Sequence, residues 1–571
     1  MRSSLRLIWT ILYGAFTLTS IAWACPRNDT LLEVCSCTTS FNGIILNCSG
    51  QDAKIVLRVL KENQVHLGLV QKLTLQNASL SKLEPHIFKG LYIKELDLSH
   101  NEIDSVFEHA FEGLSTIVQG INLQHNRLTE IPANGLDGLA ALLKLDLSNN
   151  SIGNLEHQHA LKNTPKLFDL SLANNKICKI QKSVFDAVKH SVKSLNLGHN
   201  CMTKVPASAV RGFKQLLALH IHRNYIPQLE PLAFMNLPLL NLINLAGNRI
   251  SKIHRQAFLN VPNLRMMYLS DNKLTELHEQ QFRHFSMLEM LDLSRNLISV
   301  IPSRAFSNSE RLSQLYLGYN EISVIEKDAF VNSSIAILLL PGNELTEITA
   351  EMFNGMSYLQ QFNLKENKIA AIAQNAFYQM PSLVMIDLSH NNLTVLYPAT
   401  FLTQLNLFLV ELSHNQLVST PYNAFNKRVM TVILQENPLV CRERVHMLQQ
   451  GVGVYVPGTP DIICGGSELS PQESIEEIQN TLVPIAAATP NDISAFVQDR
   501  ANVAKSTTTL FKPLVTVAPD FFTRPIIRPV GPEPSTRGIP STIPGLIQPP
   551  AVLQGAGLKQ ISQPVGVGTQ Q

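Results

Sequence analysis

Large aliphatic residues recur along most of this chain at a fixed set of spacings. Between Val70 and Leu439 the pattern L-x-x-L-x-L-x-x-N-x-L returns every 22 to 25 residues, sixteen times. Ile93, Leu96, Leu98, Asn101 and Ile103 make one clear copy, Val118, Ile121, Leu123, Asn126 and Leu128 the next, and Leu288, Leu291, Leu293, Asn296 and Ile298 a later one. Strict alternation in the L-x-L piece predicts a short strand whose leucines face inward and whose intervening residues face out. One such unit cannot bury its own leucines. Stacked units share a continuous core and touch only their neighbours, and each buried Leu or Phe contributes roughly 1.5–3 kcal/mol. The period therefore predicts an α/β-type solenoid, a curved coil with a parallel sheet on its concave side.

Two further columns fall out of the same register. Asn101, Asn126, Asn150, Asn175, Asn200, Asn224, Asn248, Asn272, Asn296, Asn320, Asn343, Asn367, Asn391, Asn415 and Asn437 share one slot, and Ala78 stands in it in the first unit. The chain turns sharply after each strand and leaves backbone groups without sheet partners. An amide side chain both donates and accepts, so a stacked column of them bridges each turn to the next. Phe88, Phe111, Phe185, Phe234, Phe258, Phe282, Phe306, Phe330, Phe353, Phe377, Phe401 and Phe425 fill a second slot, expected as a packed spine under the convex side.

At 571 residues the chain exceeds an ordinary single core; a solenoid escapes that limit by growing in one dimension. A formal net charge of +2 gives no global field of the kind that draws nucleic acid. Residues 1–24 read as a secretory leader: Arg2 and Arg6, an apolar run from Leu7 to Ala22, then Ala22-Trp23-Ala24 as a small-x-small cleavage site. Eight cysteines suit an oxidising compartment, and sequons begin at Asn28, Asn47, Asn77, Asn149, Asn332 and Asn392. No later stretch is long and apolar enough to span a bilayer, and the final Gly-Thr-Gln-Gln is no lipid-anchor tail. The expectation is a mature chain in the extracellular space or matrix.

Both ends of a coil expose core leucines and need caps. Residues 25–69, with Cys25, Cys35, Cys37 and Cys48, are read as the N-terminal cap, residues 70–439 as the repeats and 440–480 as a reduced C-terminal cap. Ser470-Pro471-Gln472-Glu473 reads as a helix start, with a short helix expected to about Asn480 and another near 492–505. Residues 481–571, rich in Pro, Thr and Val beyond about 506, are expected to be extended and mostly disordered, as tether, docking segment or passive linker. Cys178 and Cys201 sit in neighbouring repeats just past the asparagine slot; either adjacent coils bond them or they stay free thiols.

Across Cys25 to Cys464 the assembly resembles the extracellular leucine-rich-repeat proteins. The Ala257-Phe258-Leu259-Asn260-Val261 piece of the 24-residue unit matches their "typical" class, shared by Slit, chaoptin, Toll ectodomains and small matrix proteoglycans. More narrowly the chain resembles the repeat-only extracellular proteins of invertebrates, several of which act in apical extracellular matrix. The resemblance implies cap disulfides Cys25–Cys37 and Cys35–Cys48. Asn437-Pro438-Leu439-Val440-Cys441 resembles the opening of the family's C-terminal cap but lacks its C-x-C, so a single bond, Cys441–Cys464, is expected there.

Nothing in the chain points to chemistry. There is no H-E-x-x-H, G-x-S-x-G or P-loop, His220 and His222 alternate without an evident third metal ligand, and no cofactor or metal is expected. Binding is expected on the concave face, where one outward column runs Asp97, Asn122, Asp146, Ser171, Asn196, His220, Asn244, Tyr268, Asp292, Tyr316, Leu339, Asn363, Asp387, Glu411. Small polar members are what solvated positions hold. His220, Tyr268, Tyr316 and Leu339 interrupt them, and His222, Arg223, Asp271, Arg295 and Tyr319 lie on the same strands or just past them. Aromatics with arginine are interface anchors, so these nine residues form the candidate patch. The expected function is a secreted scaffold that binds extracellular or matrix proteins and organises matrix or cell-surface adhesion, with a soluble co-receptor or immune recognition factor as the alternative; a homodimer is compatible with either.

Overall fold

The computed structural model describes residues 25–439, apart from 27–28, 157–160, 420, 422–423, 427 and 430. The expected leader (1–24), Asn28, the expected C-terminal cap (440–480) with Cys441 and Cys464, the helices expected near 470–480 and 492–505, and the tail (481–571) lie outside the described residues.

Inward aliphatics set the register. Leu170, Leu195, Leu219, Ile243, Met267, Leu291, Leu315 and Leu338 pair one to the next across parallel three-residue strands. Phe362, Ile386, Val410 and Val432 continue the row. All twelve are 0% exposed. Sixteen such strands, from Val70–Thr74 to Thr431–Ile433, form the repeat sheet. On the opposite side the phenylalanines stack ring on ring: Phe88 on Phe111, then Phe282, Phe306, Phe330 and Phe353 in succession, at centroid distances of 5.6 to 6.0 Å. Two units without that phenylalanine carry Ile131-Pro132 and Val205-Pro206 instead. There the short helices Ala133–Leu136 and Ala207–Val210 bury Leu136 and Val210.

The asparagine column is a hydrogen-bond ladder. Asn272 shows the motif: Nδ2 donates to the Leu269 and Ser270 carbonyls of its own turn, at 3.0 and 3.1 Å, and to the Leu245 carbonyl of the preceding coil at 3.0 Å. Its Oδ1 accepts from the Ile250 N–H at 2.9 Å. The same set recurs from Asn101 to Asn437. Ala78 holds the slot in the first unit, and its own N–H donates to Asn101 Oδ1. Nearly every residue just before the ladder has a left-handed backbone, among them His125 (φ 53°), Arg223 (φ 51°), Arg295 (φ 53°) and Tyr319 (φ 57°). Histidine, asparagine and glycine dominate that slot because they tolerate positive φ best.

The N-terminal cap is an antiparallel hairpin, Ser36–Ser40 with Gly43–Asn47, whose second strand runs parallel to Val70–Thr74 and so starts the sheet. Helix Ala53–Glu62 follows, capped by Asp52, whose Oδ1 accepts from the Lys54 N–H at 2.7 Å. It buries Ala53, Val56, Leu57 and Leu60. Disulfides join Cys25 to Cys37 and Cys35 to Cys48. A third joins Cys178 to Cys201 across neighbouring coils.

Replacing Asn272 with alanine leaves the Ile250 N–H unpaired in a buried turn and removes one of two amide donors from each of the Leu245 and Leu269 carbonyls, which keep Asn248 and Asn296. For one buried group left unpaired, we expect a loss of about 1–3 kcal/mol in urea unfolding, with amide exchange rising around Ile250. Peptide mapping of unreduced protein is expected to recover a Cys178–Cys201 linked pair; alkylation of both thiols without reductant would contradict it.

Candidate binding face

The outward column that includes Asp97, Asp146, Asp292 and Asp387 departs from its expected solvated state. Asp292 is 0% exposed, and Asn244, Asn363, Asp387 and Glu411 are also buried. The physical reason is a second polar ladder. Each short side chain turns along its own strand and accepts the backbone N–H two residues on: Asp146 from Ser148 (2.9 Å), Asn244 from Ala246 (3.0 Å), Asp292 from Ser294 (3.0 Å), Asp387 from Ser389 (2.9 Å) and Glu411 from Ser413 (3.0 Å). This is the local Asx-type bond that closes a turn. Burial pushes the Asp146, Asp292 and Asp387 carboxyls up, and Glu411 to about 7.

His220, Tyr268, Tyr316 and Leu339 are the places where that ladder is interrupted. His220, Tyr268 and Leu339 are half-buried. Tyr316 is not an exposed aromatic; it is buried, its hydroxyl donates to Gln314 Oε1 at 2.8 Å, and burial raises it to about 12. The exposed members of the candidate patch are Arg223, Asp271, Arg295 and Tyr319, all in the left-handed slot. Asp271, Arg295 and Tyr319 form a continuous ridge over three coils. The Arg295 guanidinium lies 4.9 Å from the Tyr319 ring centroid, and its Nε is 4.0 Å from Asp271 Oδ1. Tyr319 rests on Gly342, where a Cβ would come within 2.5 Å of the ring. His222 likewise covers Gly198, with its ring 6.2 Å from His220 and 5.2 Å from His199. Six of the nine candidate residues thus fall into two groups, His220 and His222 beside Arg223 and the Asp271–Arg295–Tyr319 ridge, with Gly247 between them; Tyr268, Tyr316 and Leu339 stay in the polar-ladder column.

A further column was not legible as a site from the alternation alone. Two residues before each polar-ladder position the face carries Glu95, Gly120, Lys144, Asp169 and Ser194 early, then Leu242, Met266, Met290, Gln314 and Ile337. Leu242, Met266, Met290 and Ile337 are half-buried. Met385 and Leu409 continue the column into an apolar cluster with Ile433, separate from the core. The signal lies in the repeat register, at the third position of each unit, where polar residues give way to aliphatic ones. Of the described sequons, Asn47, Asn77, Asn332 and Asn392 are exposed, and Asn149 is half-buried and accepts from Asn174. Among the described residues no group of three or more His, Cys, Asp or Glu is placed to hold a metal ion, and no helix is long and apolar enough to cross a membrane.

A family model described as "Leucine rich repeat" matches residues 69–119, 93–152, 118–177, 190–250, 238–298, 288–345 and 333–393. The chain belongs to the leucine-rich-repeat family. Proteins of this family are typically binding scaffolds rather than enzymes. Leucine-rich repeat-containing protein let-4 of Caenorhabditis elegans is 49% identical over 481 residues, which cover 84% of this chain and 61% of that one. Keratocan of Danio rerio is 33% identical over 162 residues, 28% of this chain and 43% of keratocan. The chain thus spans under two thirds of the length of these relatives. Among solved structures, one of the Drosophila Toll–Spatzle complex superimposes with a TM-score of 0.61 at 22% identity, covering 73% of this chain and 59% of that one. That likeness establishes a leucine-rich-repeat coil.

Burial holds His220 down at about 4 and His222 at about 3, the latter also through the nearby His220, His199 and Arg223 charges. The folded repeats therefore keep both rings neutral, whereas the unfolded chain takes up protons near the ordinary imidazole value of about 6.5. Stability from these two rings is present above that value and is lost as pH falls from about 6.5 toward 4. The raised carboxyls oppose this, since their protonated forms favour the fold in acid. We expect the fall in melting temperature between pH 7 and pH 4.5 to be smaller in His220→Asn/His222→Asn than in the parent, as read by thermal unfolding in matched buffers.

Proposed function

We propose that this leucine-rich-repeat coil is a secreted protein-binding scaffold that organises extracellular matrix or cell-surface adhesion, holding its partners on the sheet face. The observation that carries this reading is the half-buried column of Leu242, Met266, Met290 and Ile337, bordered by the exposed Asp271–Arg295–Tyr319 ridge. Polar-ladder residues occupy the neighbouring column and satisfy their own turns, so they leave the aliphatic column to make contacts. Methionine adapts its shape to a partner surface, and a Tyr–Arg pair at the border is a typical anchor. Residues 1–24 then serve as the leader, 440–480 as the second cap, and the exposed sequons as glycan sites. Three disulfides support an oxidising compartment. The short matches to keratocan and lumican lean toward matrix rather than a freely circulating recognition factor.

Proximity labelling by the secreted full-length protein is expected to name matrix or cell-surface proteins. Met266→Ala/Met290→Ala/Tyr319→Ala is expected to weaken the leading partner by at least about tenfold, given roughly 1–2 kcal/mol for each truncated anchor, with an unchanged unfolding transition. Undiminished partner binding by a folded triple variant removes the sheet-face reading. Free recovery in extracellular fluid, without co-sedimentation with matrix, favours the co-receptor or immune-recognition alternative.

A further inference from the structure

Basic side chains are not spread evenly along the repeats. In the four stretches that follow successive strands, residues 173–182, 198–206, 222–230 and 246–255, there are eight Lys or Arg and one acidic residue, Glu230. In the corresponding stretches of the next four coils, 270–279, 294–303, 318–327 and 341–350, three basic residues face seven acidic ones. The solenoid turns this sequence bias into a surface. Lys176, Lys179, Lys204, Arg223, Arg249 and Lys252 are all exposed; the register places five of them on the flank of adjoining coils, just past the asparagine ladder, and Arg223 on the rim immediately before it. Of these six, Lys204 pairs with a carboxylate among the described residues, Glu230 at 3.2 Å.

A cleft of about 310 Å³ opens in the middle of this strip, lined by Asn174, Lys176, His199, Arg223 and Tyr225 together with ladder amides. Tyr225 is 48% exposed, and the Arg249 guanidinium lies 4.6 Å from its ring centroid. Cys201 lines the cleft, and its disulfide to Cys178 ties together the two coils that carry Lys176, Lys179 and Lys204. Among the described residues it is the one disulfide within the repeats. It restrains the coils on either side of the cleft, so less ordering is left for a ligand to impose.

We propose that this flank is a binding site for a linear sulfated polysaccharide, with the strip following the chain of anionic groups and the cleft taking one sugar unit. The strip crosses four coils, roughly 15 Å at about 4.8 Å per strand. That is a track for a polyanion rather than a point site for one ion. Its composition argues against an acidic protein as occupant: lysine is depleted at protein interface cores, which use large aromatic and apolar anchors, and Tyr225 is the one such anchor lining the cleft. Amide, guanidinium and phenol groups around a shallow cleft match the hydroxyl, sulfate and ring faces of a sugar. The site lies on the flank, apart from the Leu242–Ile337 column. It rests on the proposed extracellular location for its ligand, but its affinity is measured without reference to any protein partner.

The test uses the full-length secreted protein and heparin as probe. Binding to immobilised heparin at physiological salt is expected, with log affinity falling linearly against log salt concentration as condensed counterions are released. In Lys176→Glu/Lys179→Glu/Arg223→Glu the slope is expected to fall by about one for each sulfate-binding cation removed, and affinity at physiological salt to drop at least about tenfold. Arg283→Glu/Lys327→Glu, two exposed basic positions elsewhere on the coil, is expected to bind as the parent does, and all variants to share its unfolding transition. Flow-through of the parent, equal binding to fully desulfated heparin, or undiminished binding by the triple variant each overturns the proposal. Failure to bind heparin but capture by immobilised poly-glutamate overturns it too and assigns the strip to an acidic protein. Loss of partner capture in the Met266/Met290/Tyr319 variant with heparin affinity intact separates this site from the sheet-face reading.

Discussion

One side-chain amide per coil holds this molecule together. Inward leucines supply most of the favourable free energy, but hydrophobic burial has no direction and does not choose a register. The asparagine does. Its Nδ2 reaches carbonyls of two successive coils and its Oδ1 takes an N–H from the earlier one. A slip of one residue would break that set in every coil and send the leucines to the wrong face. Because each rung touches only its neighbours, the constraint repeats locally along the whole described coil.

The outward face follows from the same need to satisfy backbone groups. Where the strand ends, a short Asp or Asn side chain accepts the N–H two residues on, and a second polar ladder appears on what would otherwise be open surface. This accounts for buried carboxyls on an outward column; burial raises their pKa values, and the hydrogen bonds they accept offset part of that rise. It also separates structural from available positions. Residues that close turns are occupied by that task. The neighbouring column has no turn to close, and its residues drift from Glu95 and Lys144 to Leu242, Met266 and Met290.

Left-handed residues before each asparagine add a third constraint. Each places a side chain on the rim between sheet and flank, whatever its identity. His100 and His125 stack there at 4.3 Å, and His390 and His414 at 4.1 Å. Arg295 and Tyr319 meet there because the slot repeats in every coil. The backbone conformation belongs to the fold; Arg223, Asp271, Arg295 and Tyr319 fill the slot in the middle coils beside Gly247 and Gly342, whereas the outer coils hold His, Asn or Glu there. The basic flank has the same origin, since coils far apart in sequence bring equivalent positions into line.

Periodicity alone determined the solenoid, its sixteen strands, the asparagine ladder and most of the phenylalanine spine, because each depends on contacts between identical positions one repeat apart. The short helices at Ala133–Leu136 and Ala207–Val210, in two units that lack the phenylalanine, were not read from the sequence. What a side chain does at an outward position was not legible in the same way. Asp146 and Tyr316 occupy one column, yet one closes a turn and the other lies buried against Gln314. Whether Cys178 meets Cys201, and whether Lys176, Arg223 and Arg249 share a surface, depended on the lateral stacking of coils. Those were decisions of tertiary structure, since sequence spacing gives the order of positions around one turn, and only packing of turn on turn sets the distances between them.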